Sequence, residues 1–462
     1  MLVPTDAETL DPRYATDAVA LRTTRLIHAG LVRLDPDTLE PKPYAAKSWQ
    51  WIDDRALRVE LRDDVRFHSG APLVAEDVCQ TIKAFTSKEV GSRHGRVVDA
   101  IGDCHPDGER TIVLRLSRAH ATLLTDLELP ILRASEAFKT NIALDGLGPF
   151  VVARREPGAI VLAPAEHSVG PKPVHGVTLR TVHDENARAL RMHAGRADLV
   201  VNGFSHTLLP ALEEARGVTV TSRPGANLTY LLANNARAPS SDARLRKALS
   251  LAIDRERIAK TLLAGHAVAA NELLPPSHWA YTRLDPIPFD REAARQLLAE
   301  AGLTSVHVTL LTSTDRLRGT IARTLAQELA KVGIVLDVVP LELGTMIARL
   351  AAGDFELATL QMPELTEPNV LKIFLHSSAV PPAGANRGRV RDAEVDRLLD
   401  EGASSIDPNA RKATYAKLEE TVRAGAFFIP LWHEDQVTVA SERAKAFAPS
   451  AEGRWLGLTT LR

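Results

Sequence analysis

The sequence predicts an α/β protein of more than one lobe, with a doubly wound, mostly parallel sheet at its core. Three observations carry this expectation. The chain has 462 residues, a length that corresponds as a prior to about three domains. A helix pattern stopped by glycine and followed by an apolar strand recurs at 291–301 with 306–311, at 318–332 with 334–339, and at 345–352 with 355–360. Residues 146–235 alternate strands and helices in the manner of βαβ units.

The elements follow in order. Leu2-Val3-Pro4 is a short strand, and 18–31 a helix whose apolar face carries Leu21, Leu26 and Ile27. Gly30 and the turn Asp35-Pro36-Asp37 end it. Residues 32–145 read as an α+β unit, with strands at 49–51, 56–61 and 111–116 and helices at 75–85 and 119–127. In the second of these strands Leu57, Val59 and Leu61 alternate with Arg58, Glu60 and Arg62, as in a half-buried strand. His68-Ser69-Gly70 supplies a turn, and Glu76-Asp77 puts acid where a helix N-terminus favours it. Strands are expected at 160–163, 176–180, 197–201 and 218–221, with helices at 186–194 and from Thr207. Residues 227–232 are an apolar strand, after which Asn234-Asn235 and Pro239-Ser240-Ser241 loosen the chain. Asp242 caps a helix carrying Leu245, Ala248, Leu249, Ala252 and Ile253. Helices at 395–399 and 410–422 and a strand at 427–431 complete the chain.

Composition narrows the function classes. Hydrophobic residues make up 45% and charged residues 25%, as in ordinary globular proteins, and a net charge of -2 points to neither nucleic acid nor an acidic membrane surface. No apolar run reaches the ~18–20 residues of a membrane span. Met1-Leu2-Val3-Pro4 is too short for the apolar core of a signal peptide, and the expectation is a trimmed leader. Cys79 and Cys104 are expected to be two separate buried thiols, the alternative being a disulfide. The sequence carries no GxxxxGK[ST] phosphate loop, no GxSxG elbow and no HExxH. Gly146-Leu147-Gly148-Pro149 lacks the third glycine of a dinucleotide fingerprint.

The stretch 61–78, LRDDVRFHSGAPLVAEDV, resembles the signature LRDGVKFHDGTPLTAEDV of the family 5 (class C) solute-binding proteins of ABC importers, the dipeptide, oligopeptide and nickel binders. Further strings resemble the same family in its order and spacing: Leu10-Asp11-Pro12, the run 43–49 ending in Trp49, Gly148-Pro149-Phe150, the run 242–255, and Ile429-Pro430-Leu431. The resemblance implies a two-lobed type II periplasmic-binding-protein (Venus-flytrap) fold with an inserted α+β subdomain. The first lobe is then expected at 1–31, 146–233 and 432–462, the inserted subdomain, taken as structural, at 32–145, and the second lobe at 234–431. Hinges are expected at 227–241 and after 429. Function follows as capture of peptides or related small polar solutes by hinge closure, and delivery to ABC transporter permease subunits. The protein is expected to be a monomer in the periplasm, or extracellular and membrane-anchored, with no nucleic-acid partner, no cofactor, no metal site and no catalytic activity. The alternatives are the same fold binding haem or chelated nickel or acting as a sensor, and a hydrolase.

A peptide-like guest presents an ammonium, amide edges and often a carboxylate, so a carboxylate, polar edges and an arginine should answer it. Glu364 falls on the Asp that takes the α-ammonium in the peptide binders, one methylene longer. The arginine of the dipeptide binders has no counterpart, since its position falls near Thr312, with Arg316 and Arg318 as the nearest substitutes. The other candidate ligand-binding residues are Thr16 and Asp17 after the Leu10-Asp11-Pro12 string, Tyr230 and Asn234 on the first hinge, Trp279 after Pro275-Pro276, Asn386 and Arg387, and Trp432.

Overall fold

The computed structural model describes residues 1–462. One twelve-stranded sheet runs through both lobes, and its continuity rests on the strand Phe428–Ser441. The first part of that strand pairs antiparallel with Leu228–Ala233, placing Leu232 beside Phe428. Its later part pairs antiparallel with Val218–Pro224 and with Leu199–Val201. The chain therefore passes between lobes at Pro224–Leu228 and again within Phe428–Ser441. Leu228–Ala233, expected to close the first lobe, lies in the second lobe's sheet, bonded to Leu357–Met362. The crossing begins three residues before the predicted hinge and overlaps its start, and every residue of Leu228–Ala233 is buried, the condition of a central strand.

The second lobe keeps the expected parallel units. Val306–Ser313 runs parallel to Ile334–Leu341 and to Leu357–Met362. The two crossing strands join it antiparallel, so its sheet is mixed. Separate apolar clusters cover the two faces of this sheet, one containing Leu245, Leu325 and Trp432, the other Tyr230, Met346 and Tyr415. In the first lobe Leu2–Val3 sits between Val177–Thr181 and Leu199–Val201, parallel to both.

The inserted subdomain has its own antiparallel sheet, in the order Ala46–Asp53, Ala56–Leu61, Thr111–Leu116, Ile101–Pro106. Helix Ala75–Thr86 packs on it. Asp77, in the first turn, accepts from Val74 N at 3.0 Å and from Ala134 N at 2.8 Å, tying the helix start to a distant loop. The string around His68 acts as a pin. His68 Nε2 lies 2.8 Å from the Gly148 carbonyl, and Ser69 N donates to Asp145 at 3.1 Å. Two of the sequence strings thus meet where the chain leaves the subdomain for the first lobe. Glycine is required there, because a Cβ on Gly148 would sit 2.4 Å from the Leu26 carbonyl oxygen.

Cys79 and Cys104 are joined as a disulfide, with Cα atoms 5.3 Å apart, so the expectation of two separate thiols is corrected. The helix and the neighbouring edge strand bring together residues that the sequence alone leaves unpaired. Chain-entropy arguments give a loop of this length about 3–4 kcal/mol. Cys79→Ser is expected to lose that stability in oxidising buffer, read by chemical denaturation, and wild type should lose it on reduction.

Two buried carboxyls in the second lobe predict a pH effect. Burial pushes Glu419, which accepts from Leu273 N and Leu274 N, up to about 7, and burial likewise pushes Glu272 to about 7. A carboxyl raised in the folded state contributes stability below its ordinary 4.5 and loses it as pH rises through about 7. Burial drives His28, His278 and His433 the other way, so wild type alone mixes both signs. Glu419→Gln keeps an acceptor and removes the charge. Its melting temperature relative to wild type is expected to rise between roughly pH 5 and pH 8.

Candidate functional site: a charged cavity between the lobes

The first-lobe wall is the helix Ala18–Ile27, which projects Arg22 and Arg25 three residues apart, on one side. Asp17 caps it, accepting from Ala20 N at 2.8 Å. Arg25 donates to Glu128 of the inserted subdomain at 3.3 Å. Glu128 also accepts from Leu34 N at 3.0 Å and from Arg454. Arg454 reaches Glu452 at 3.3 Å, which makes a buried chain of alternating charge. Burial would raise the Glu128 carboxyl, but Arg454 and Arg25 hold it below the ordinary carboxylate value. Glu452 is pushed up by burial, with Arg454 opposing the rise. Arg22 lies 5.8 Å over the ring of Trp455.

The opposite wall is the second-lobe segment after Leu357–Met362. Its Glu364 and Thr366 line a cavity of about 190 Å³ together with Thr24, Arg25, His94 and Arg454. The Glu364 carboxylate is exposed and lies within electrostatic reach of Arg22, Arg25 and Arg454. An acid from one lobe therefore faces an arginine cluster from the other across open space.

Thr125 lines this cavity and also a second one, of about 340 Å³, between the inserted subdomain and the second lobe. Contacts across the gap hold the two bodies together. Thr125 Oγ1 donates to Glu367 at 3.2 Å, Ala121 N donates to the Ala403 carbonyl at 3.2 Å, and Arg411 donates to the Ala121 carbonyl at 3.3 Å. Arg411 also pairs with Glu367, whose carboxyl burial raises against the pull of that arginine.

Among the residues singled out from sequence, Glu364 and Trp279 line these cavities. Thr16 is exposed before the helix and accepts from Arg93 at 3.4 Å. The others line neither cavity. Asp17 is occupied as the cap. Tyr230 is buried and stacked on Phe428 at 4.9 Å. Asn234 donates to the carbonyls of Gly353 at 3.1 Å and Phe355 at 3.0 Å. Asn386 donates to the Val390 carbonyl at 2.9 Å and accepts from its N at 3.0 Å. Arg387 is half-buried near Tyr230. Trp432 is fully buried in the second-lobe core. Arg318, considered for a ligand carboxylate, is paired with Glu434 at 3.0 Å. Sequence reasoning missed Arg22, Arg25, Thr125, Glu128 and Arg454. The one available signal was the pair of arginines at helical spacing, which reads equally as a solvated face.

Two α/β lobes sharing a strand around a charged cavity define a two-lobed solute-binding protein. The family model for bacterial extracellular solute-binding proteins, family 5 (middle), matches residues 40–379, and the chain belongs to this family. The chain is 25% identical to the probable di/tripeptide-binding protein 5 of Pseudomonas aeruginosa, over 92% of this chain and 88% of that protein. It is also 25% identical to the probable D,D-dipeptide-binding periplasmic protein DdpA of Escherichia coli, over 96% of this chain and 89% of that one. The structure of NikA from Brucella suis in complex with Fe(III)-EDTA shares the fold, with a TM-score of 0.88 at 22% identity, covering 100% of this chain and 98% of that one. No helix is long and apolar enough to cross a membrane. No group of three or more His, Cys, Asp or Glu side chains is placed to hold a metal ion.

Proposed function

We propose that this protein captures a short peptide or closely related zwitterionic solute outside the cytoplasm and presents it, as a monomer, to the permease of an ABC importer. The carrying observation is the exposed Glu364 carboxylate, which lines the interlobe cavity with Arg25 and Arg454 and has Arg22 within electrostatic reach. Glu364 receives the ligand ammonium, and Arg22, the one of these three arginines with no ion-pair partner, receives its carboxylate. The arginine role, expected on the second lobe, is supplied from the first. The names of the Pseudomonas and Escherichia relatives, probable di/tripeptide- and D,D-dipeptide-binding proteins, support this class of guest. A ligand touching both walls stabilises the state in which the walls are close, which is all that transport requires of the receptor.

Native mass spectrometry of the purified protein, followed by titration calorimetry with the released passenger or a peptide library, tests this. A stoichiometric peptide-sized passenger that rebinds is the expected result. Failure of every free peptide to bind, with a passenger lacking an amine, would overturn the peptide class.

A further inference from the structure

We propose that the cavity between the inserted subdomain and the second lobe is a second chamber of the same site, built to seat an uncharged aromatic or branched aliphatic group of the solute. This rests on the solute-binding reading above and deepens it. Trp49 and Trp51 stand two residues apart on the strand Ala46–Asp53, and so on one face, opposite Val59 and Leu57. Both pack on the subdomain's core, and both also line the cavity. Trp279, Ile406 and Pro408 of the second lobe form the opposite wall.

The space is not a packed interior. Protein cores leave few voids larger than a water molecule, whereas this one measures about 340 Å³, inside the ~300–1,000 Å³ range of small-molecule sites. The Trp279 ring lies under the Arg411 guanidinium at 5.2 Å, and Arg411 is held by Glu367 and by the Gly402 carbonyl at 3.1 Å. These two charges are paired with each other, and the remaining charge on the lining, Glu40, is paired with Lys42 at 2.5 Å. Thr125 lines both spaces, so the apolar one lies beside the charged one, with the Thr125–Glu367 hydrogen bond at 3.2 Å between them. A mostly apolar pocket with a few placed polar groups at one end is the usual composition of a ligand site. The inserted subdomain, expected to be structural, thereby becomes a reader of the guest's side chain. A guest filling this chamber touches both bodies and favours their closure.

The test is calorimetric titration of wild type, Trp51→Ala and Ile406→Ser with Ala-Ala-Ala, Phe-Ala-Ala, Ala-Phe-Ala and Ala-Ala-Phe. The expected result is that wild type binds at least one Phe-bearing peptide about tenfold or more tighter than Ala-Ala-Ala. Both variants should compress that ratio below about threefold with the Ala-Ala-Ala affinity unchanged. Tryptophan fluorescence should also shift when wild type binds the preferred Phe peptide. Since Trp51 is partly a core residue, Ile406→Ser keeps the test valid if Trp51→Ala fails to fold. Equal wild-type affinity for all four peptides, a ratio preserved in the variants, or an equal loss for every peptide would overturn the chamber's role and leave the solute-binding reading standing. Binding of none of them would instead overturn the peptide reading, and this assignment with it.

Discussion

Glu364→Ala is expected to weaken binding of an ammonium-bearing solute by about 2–5 kcal/mol, roughly thirtyfold to several thousandfold. The size of the effect comes from geometry. The carboxylate is exposed while the cavity is empty, and the guest that fills the cavity removes it from water. Deleting it then leaves a ligand ammonium without a counter-charge, within reach of Arg22, whose charge no ion pair compensates. Glu364→Gln separates charge from shape, since it keeps the side-chain length, and is expected to lose nearly as much. Folding should be unaffected in either variant. Titration calorimetry at moderate salt is the measurement, and an unchanged affinity would remove Glu364 from the site.

Arg454→Ala is expected to destabilise the folded protein by about 3–5 kcal/mol, because breaking a buried ion pair strands its partners. Glu128 and Glu452 are both buried, and Arg454 contacts each of them. Without it Glu128 keeps only Arg25, at 3.3 Å, and Glu452 loses its one ion-pair contact. The loss should appear as a melting temperature lower by about 3–5 °C for cooperative unfolding of a chain of this length. Arg454→Lys should recover only part of it, since a single nitrogen lacks the planar guanidinium that reaches Glu128 through Nη1 and Glu452 through Nε. A change below about 1 kcal/mol for Arg454→Ala would mean that the network is solvated in solution.

The parts of this molecule written locally could be read from its sequence. The helix Arg291–Glu300 begins on an Asp290 cap that accepts from Glu292 N and Ala293 N, and the helix Leu343–Ala352 stops on a left-handed Gly353. Both signals lie within a few residues of what they specify. The lobe to which Leu228–Ala233 belongs was not legible, because a strand buried on both faces carries no mark of its neighbours. Tyr230 and Trp432 illustrate the same limit for the site, since an aromatic beside a hinge has one sequence whether it faces a cleft or a core. Asn234 and Asn386 look like exposed binders but saturate their amides on nearby backbone. The charge network was illegible for a different reason: Arg454 and Glu128 are 326 residues apart, and each alone is an ordinary surface charge.

All of this depends on two bodies moving about the crossings at Pro224–Leu228 and Phe428–Ser441, with the guest held between them. Small-angle X-ray scattering on the protein stripped of its passenger, and again after saturation with the identified solute, tests that motion directly. A smaller radius of gyration in the saturated protein is the expected result. An unchanged scattering profile, with occupancy confirmed by native mass spectrometry, would contradict hinge closure.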